Sequence, residues 1–334
     1  MSGDITTVLA AVMCGTAVVV GEPITIPLLR RAAIDVPGDR SSHTVPTPRG
    51  GGAPVAAGLL LAAALVGGAT ATAFAIAIAG FGLIGLGDDL RGLPVGGRLA
   101  MQTAASAAAG ALLVCHLAMP TAVLVGLAVS IAAWVIGFVN AFNFMDGVNG
   151  ISGAHAFVGG IVYACLGRWR PDEFLGPAGV AVAVGALAFL PWNFGRARVF
   201  LGDVGSYALG AALAVLAAYA VLGGIPAEAA LGPLALYIAD TAWTLQRRIR
   251  AGERWLEAHR THVYQQWCDA GWSHQRVTAI ATATTALLSL LGAASLTGHP
   301  TLRLVADVTA AGVLITYLRS PVLLMRRAAA QAEA

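Results

Sequence analysis

Long apolar runs separated by short polar loops dominate the chain. A helix that crosses a bilayer needs about 20 mostly apolar residues. Eleven segments approach that standard, at 5–28, 52–69, 71–87, 99–116, 119–141, 149–166, 176–191, 205–223, 229–246, 277–297 and 302–318. The apolar stretch from Gly52 to Leu86 is too long for one crossing, and Gly67, Gly68, Ala69 and Thr70 supply a tight turn that splits it. The runs lack the dyad alternation of barrel strands. The pattern therefore predicts an all-α, polytopic membrane helix bundle of eleven spans, or ten if the last segment lies on the surface. With no linker, low-complexity tail or internal repeat, residues 1–334 read as a single integral membrane domain.

Composition sharpens this. The chain is 57% hydrophobic and only 11% charged, against about 25% charged in ordinary soluble domains, which excludes a water-soluble enzyme. Its 41 glycines and many alanines suit helices that approach closely. All 20 basic residues are Arg, and their placement sets an orientation through the excess of positive charge on cytoplasmic loops. With the N-terminus outside and the C-terminus cytoplasmic, inner loops and tail hold 17 of them, leaving Arg168, Arg170 and Arg303 outside. Asp4 stands where a signal peptide would carry basic residues, so the first segment reads as a retained span. The four cysteines form no CxxC, which argues against a disulfide framework or a zinc site.

Polar residues gather in five loops, 29–51, 87–98, 140–150, 192–206 and 247–276, all on the cytoplasmic face in this orientation. Glu22 and Asp240 are the intramembrane acids, both expected near helix ends. Asp88 and Asp89 are adjacent at a membrane boundary with no Lys beside them, and such a pair repels unless a cation or a shared proton intervenes. A solvated pair ending a helix is the plain alternative. Asp146 and Asp203 weigh against it, because both are followed or preceded by Gly, which permits close approach of a ligand. Four acids on one face among Arg residues suit a metal–diphosphate site. Mg²⁺ binds through one or two carboxylates plus substrate phosphates, and the planar guanidinium can donate two hydrogen bonds to phosphate. Arg247, Arg248 and Arg250 read as interfacial anchors, Trp255, Trp267 and Trp272 as interfacial aromatics, and His116, His155, His274 and His299 as bystanders. Asp240 stays open between a structural and a functional role.

The motifs Gly87-Asp88-Asp89, Asn143-Phe-Met-Asp146-Gly147, Phe200-Leu-Gly202-Asp203-Val-Gly205-Ser206 and His259-Arg260-Thr261-His262 occur in that order. Together they resemble the polyprenyl-phosphate N-acetylhexosamine-1-phosphate transferases, glycosyltransferase family 4. The opening loop, with Arg40-Ser-Ser-His43 and Pro46-Thr-Pro-Arg49-Gly-Gly-Gly, resembles the O-antigen and enterobacterial-antigen branch. The resemblance implies that Asp88 and Asp89 are catalytic acids at the lipid-phosphate and metal site, and that Asp203, with Asp89, contacts Mg²⁺. It further implies that Asn143, Asp146, Asn149, Arg49, Arg98, Arg260 and His262 bind substrate. Asn149 departs from the Asp of many relatives. Val263, Tyr264 and Gln265 follow His262 in place of the triple histidine of the related phospho-MurNAc-pentapeptide transferases, which disfavours a MurNAc-pentapeptide donor.

The implied reaction is attack of undecaprenyl phosphate on the β-phosphate of a UDP-sugar, such as UDP-GlcNAc. It gives polyprenyl-diphospho-sugar and UMP and initiates a cell-surface glycan such as lipopolysaccharide O-antigen. Mg²⁺ is the implied cofactor, with Mn²⁺ as a substitute. The expected partners are the UDP-sugar, the lipid carrier and membrane lipid; no nucleic acid is expected, and a homodimer is allowed. The expected location is the bacterial inner membrane, with the active site facing the cytoplasm. Asp88 acts either as general base or only in positioning metal and lipid phosphate. The rival readings are the MurNAc-pentapeptide branch and a flippase or transporter, the latter calling for charges midway along several spans.

Overall fold

The computed structural model describes residues 3–38, 45–253 and 259–332. Arg40, Ser41, Ser42 and His43 of the opening loop, and Arg254 and Trp255 of the last, lie outside the described residues. The helices in chain order are α1 (Gly3–Ala32), α2 (Gly52–Val66), α3 (Gly68–Arg91), α4 (Val95–Val114), α5 (Thr121–Phe144), α6 (Ile151–Trp169) and α7 (Leu175–Asn193). They continue with α8 (Gly202–Leu222), α9 (Ala227–Leu231), α10 (Ala235–Arg250), α11 (Val263–Asp269), α12 (His274–Ala293) and α13 (Pro300–Ala332). Ten of the eleven apolar segments fall mainly within a single helix, so the polytopic helical bundle stands. Among the described residues, seven helices are long and apolar enough to cross a membrane: α1, α3, α5, α7, α8, α12 and α13. The predicted turn forms at Gly67 and Gly68, with φ of 71° and 82°.

Two segments differ from the sequence pattern. The run at 229–246 is not one span: α9 gives way to a 3₁₀ turn over Gly232–Leu234 before α10 begins. Pro233 cannot donate the backbone hydrogen bond that a continuous helix would require. Glu22 lies well inside α1 and is fully buried, not at a helix end. Among the described residues neither of its carboxyl oxygens has a hydrogen-bond partner.

The centre of the bundle is α8, buried along most of its length and packed against α2, α3, α5, α6 and α7. Small residues permit this. A Cβ placed on Gly85 of α3 would stand 2.2 Å from the carbonyl oxygen of Asp203, so the two backbones touch there. That contact brings the C-terminal end of α3, with Asp88 and Asp89, against the first turn of α8, with Asp203.

The opposite end of the bundle holds a different set of charges. Arg168 pairs with Asp4 at 3.6 Å, Arg303 with Glu228, and Arg170 donates to the Gly223 carbonyl. The three Arg residues assigned outside by the charge count thus sit away from Asp88, Asp89, Asp146 and Asp203. The opening loop adds two short strands, β1 (Ile34–Asp35) and β2 (Thr47–Pro48), paired antiparallel. The chain then continues into a parallel bridge between Arg49 and Phe200, which stitches the first polar loop to the fourth.

Candidate active site

The two adjacent acids point in different directions, because neighbouring residues on a helix are about 100° apart. Asp89 turns towards α8, where Oδ1 accepts the backbone N–H of Asp203 (3.1 Å) and Oδ2 that of Val204 (3.0 Å). It therefore caps the N-terminus of α8, where carboxylates are favoured by the unsatisfied N–H groups and the helix dipole. Asp88 turns towards the α3–α4 connection. Its Oδ1 accepts from the Leu93 N–H at 2.6 Å and its Oδ2 from Arg98 Nη1 at 2.5 Å. The Asp88 and Asp203 side chains also meet.

On the other side of Asp203, the Asn143 side-chain N–H₂ donates to Asp203 Oδ1 (2.7 Å) and to Ser206 Oγ (2.9 Å). Asn140 and Asn143 lie on the last turns of α5, not in a loop. Gly202 makes the crowding of backbone possible. Its φ is +73°, and a Cβ there would stand 2.5 Å from the Gly50 nitrogen and 2.6 Å from Asp89 Oδ2. Arg49, fixed by the bridge to Phe200, donates from Nη2 to the Asp89 carbonyl at 3.0 Å and holds Nε 3.7 Å from Asp89 Oδ1.

These residues surround one cavity of about 360 Å³, whose walls include Arg49, Asp89, Asn143, Asp146, Asn149 and Asp203. Six predicted site residues thus converge on it. A wider cavity of about 1120 Å³ shares Asn149 and Phe200 with the first and carries Arg30, Arg196 and Arg198. The remaining four predicted residues stand outside both walls. Asp88 and Arg98 form their pair behind Asp203, while Arg260 pairs with Asp269 at 2.9 Å. His262 is buried, with Nδ1 3.0 Å from Asp240 Oδ1.

Arg260 and His262 enter the assembly through α11, a helix inside what the sequence suggested was a loop. His262 is its N-cap, and Gln265 reaches back to accept the His262 backbone N–H at 3.2 Å. Gln265 itself lines the smaller cavity. Tyr264 donates to the Phe144 carbonyl at 2.9 Å, and only a glycine at 147 leaves room for its hydroxyl. That locks α11 to the end of α5 and the Asp146 loop. Arg248 departs from the expected surface anchor: it is buried and donates to Glu253 at 2.7 Å. His274 is likewise no bystander, since its Nδ1 accepts the Asn149 backbone N–H at 3.4 Å.

Three cavity residues escaped the sequence reading. Asn193, at the end of α7, is buried and accepts from the Gly150 N–H at 2.6 Å while donating to the Val199 carbonyl at 3.0 Å. An amide closing an apolar run was the signal available for it. Gln265 carried no comparable signal, because the cavity it lines is built from distant segments, and Phe200, though it opens a motif, was assigned no role.

Mg²⁺ can be tested against this donor set. Among the described residues no three His, Cys, Asp or Glu side chains form a closed metal cage. Mg²⁺ does not need one, since it keeps several waters and uses one or two carboxylates with substrate phosphates. Burial, and then the nearby Asp203 and Asp89 carboxylates, push the Asp146 carboxyl up to about 8, so these acids resist ionising together without a counter-ion. A divalent cation would relieve that repulsion, so the site fits the ion. Asp203 and Asp146 face the cavity as candidate ligands, and Asp89 lines it with one lone pair on each oxygen beyond those used by α8.

Comparison with known proteins gives a consistent result. Residues 71–221 match the family model described as glycosyl transferase family 4. The decaprenyl-phosphate N-acetylglucosaminephosphotransferase of Mycolicibacterium smegmatis is 30% identical over 295 residues, 76% of this chain and 73% of that protein. The probable undecaprenyl-phosphate N-acetylglucosaminyl 1-phosphate transferase of Bacillus subtilis is 25% identical over 145 residues, 42% and 40% of the two chains. The phospho-N-acetylmuramoyl-pentapeptide-transferase of Staphylococcus saprophyticus is 35% identical over only 86 residues, 26% and 27% of the two chains.

Proposed function

The chain belongs to glycosyl transferase family 4, and from that premise we propose that it transfers a sugar 1-phosphate from UDP-GlcNAc to undecaprenyl phosphate. The observation that carries this reading is the convergence of Asp203, Asp146, Asp89, Asn143 and Arg49 on one cavity, with Asp88 and Arg98 directly behind Asp203. The N-acetylglucosamine donor is favoured because the M. smegmatis relative, named for that sugar, aligns over most of both chains. The pentapeptide-transferase match covers about a quarter of each.

In this reading a phosphate oxygen of the lipid attacks the β-phosphorus of the UDP-sugar. The bond from the β-phosphorus to the bridging oxygen breaks, and UMP leaves. Both reactants are anions, so the protein must hold them together against repulsion and stabilise charge at the transferring phosphoryl group. Bound Mg²⁺ would supply charge neutralisation at the phosphates, held by one or two of the Asp203, Asp146 and Asp89 carboxylates. Asn143 fixes the rotamer of Asp203 by donating to it. Arg49 presents a guanidinium on the cavity wall for the donor phosphates. Phe200, which lines the cavity with Asn149 and Asn193, would supply a ring on which the base stacks.

Arg98, with exposed Val95 and Leu99 beside it, lies where a lipid phosphate arriving from the bilayer would meet positive charge. Both oxygens of Asp88 already accept hydrogen bonds, from Leu93 and Arg98. The ion pair with Arg98 stabilises the charged carboxylate, which supports a positioning role for Asp88 over a general-base role. The Arg count supports a plasma-membrane protein whose active face is cytoplasmic, where the product would begin a surface glycan. Incubating purified protein with undecaprenyl phosphate and a panel of UDP-sugars tests the proposal. UMP release greatest with UDP-GlcNAc is expected, and lipid flipping in vesicles without UMP release would favour the transporter reading.

A further inference from the structure

Asp240 of α10 is fully buried, and Thr244, the adjacent pair His262 and Val263, and Tyr317 converge on its carboxylate from three places in the chain. Thr244 Oγ1 donates to Oδ1 at 3.2 Å, and His262 Nδ1 lies 3.0 Å from the same oxygen. The Val263 backbone N–H approaches both oxygens at 3.2 Å, and the Tyr317 hydroxyl donates to Oδ2 at 2.7 Å. A carboxylate has about four lone-pair sites, so these partners fill it. A buried acid in a membrane protein can serve as an ion or proton carrier. A carboxylate saturated on every side has no site left for an ion or a transported proton, which turns the reading towards orientation of a neighbour.

The neighbour is His262. An ionised carboxylate only accepts, so the hydrogen on the imidazole belongs on Nδ1 and the other nitrogen, Nε2, is left to face its surroundings. Among the described residues Nε2 has no hydrogen-bond partner. Asp240 also accepts the N–H of the first residue of α11, so it fixes both the ring and the helix end that carries it. α13 closes the arrangement from behind. Tyr317 packs edge-on to Trp267 of α11 with ring centroids 5.1 Å apart, and Trp267 Nε1 donates to Ser320 Oγ at 2.9 Å.

We infer that Asp240 is the positioning residue for His262, and that α13 braces the same helix end through Tyr317. The inference rests on the reading of His262 as a substrate-contacting group, and it assigns Asp240 and the C-terminal helix a function lying outside residues 71–221 that match the family model.

The test is a double-mutant cycle in purified protein, measuring UMP release from UDP-GlcNAc and undecaprenyl phosphate. Asp240→Asn places an amide donor among donors. It is expected to lower kcat/KM for UDP-GlcNAc by about 10- to 100-fold, as loss of a ring-orienting carboxylate does elsewhere, while KM for undecaprenyl phosphate stays within about twofold. Tyr317→Phe keeps the ring and removes one hydrogen bond, for an expected loss of about 3- to 10-fold; it carries the test if Asp240→Asn fails to fold. In a His262→Ala background neither change should reduce the rate further, because groups acting as a unit are not additive. Losses that multiply with His262→Ala, or an Asp240→Asn protein with normal kcat/KM beside an impaired His262→Ala, would overturn the positioning role alone. Wild-type turnover in His262→Ala would instead overturn the reading of His262 and this inference with it.

Discussion

Asp89 caps the helix that carries Asp203: its two carboxylate oxygens accept the backbone N–H groups of Asp203 and Val204 at 3.1 and 3.0 Å. One acid of the pair on α3 thus sets where the acid on α8 stands. The two positions should respond differently to the same substitution.

Asp89→Asn puts an amide that has one acceptor and two donors against two N–H groups. The expected cost is about 1–3 kcal/mol of stability, the scale of an unsatisfied buried donor, together with loss of turnover. Asp203→Asn is nearly isosteric and its carbonyl can still accept from Asn143. It should keep wild-type thermal stability while turnover falls at least about 10²-fold, as when a charge-stabilising group is lost. Melting monitored by size-exclusion fluorescence, beside an activity assay, checks both. Equal destabilisation of the two variants would contradict the division of roles.

Arg98→Ala should raise KM for undecaprenyl phosphate by about tenfold, the effect of losing one charge-assisted hydrogen bond, and leave KM for the UDP-sugar nearly unchanged. Steady-state kinetics with each substrate varied in turn makes the separation. A rise in KM for the nucleotide sugar alone would place Arg98 on the wrong substrate.

Much of this arrangement was legible in the chain. Apolar runs located every long helix, because bilayer thickness fixes their length, and the motif loops contained all six predicted residues that line the smaller cavity. The unequal roles of Asp88 and Asp89 were not legible, since the pair looks symmetric until the helix turns its members about 100° apart. The Asp240 hub was hidden for another reason: Tyr317 lies 77 positions away, and only the packing of α13 brings it back. The break at Gly232–Leu234 and the short helix α11 were missed because hydropathy averages over them.

Chelation should abolish activity. Four acids near two anionic substrates call for a cation, and EDTA-treated protein should regain turnover with Mg²⁺ and, to a lesser degree, Mn²⁺. Full turnover in exhaustively chelated protein would remove the metal from the account.

The orientation has its own measurement. In a variant lacking Cys14, Cys115, Cys165 and Cys268, single cysteines can be introduced at Ala251, beyond the inner end of α10, and at Glu173, in the α6–α7 connection; both positions are exposed. An impermeant maleimide applied to intact cells should label Glu173→Cys and spare Ala251→Cys. The reverse pattern would invert the topology.

The nucleotide product reports which bond breaks. Purified protein given UDP-GlcNAc, undecaprenyl phosphate and Mg²⁺ should release UMP in equal amount to the polyprenyl-diphospho-sugar formed, with neither product in Asp203→Asn. Release of UDP in place of UMP, or UMP formed at the same rate by Asp203→Asn, would contradict it.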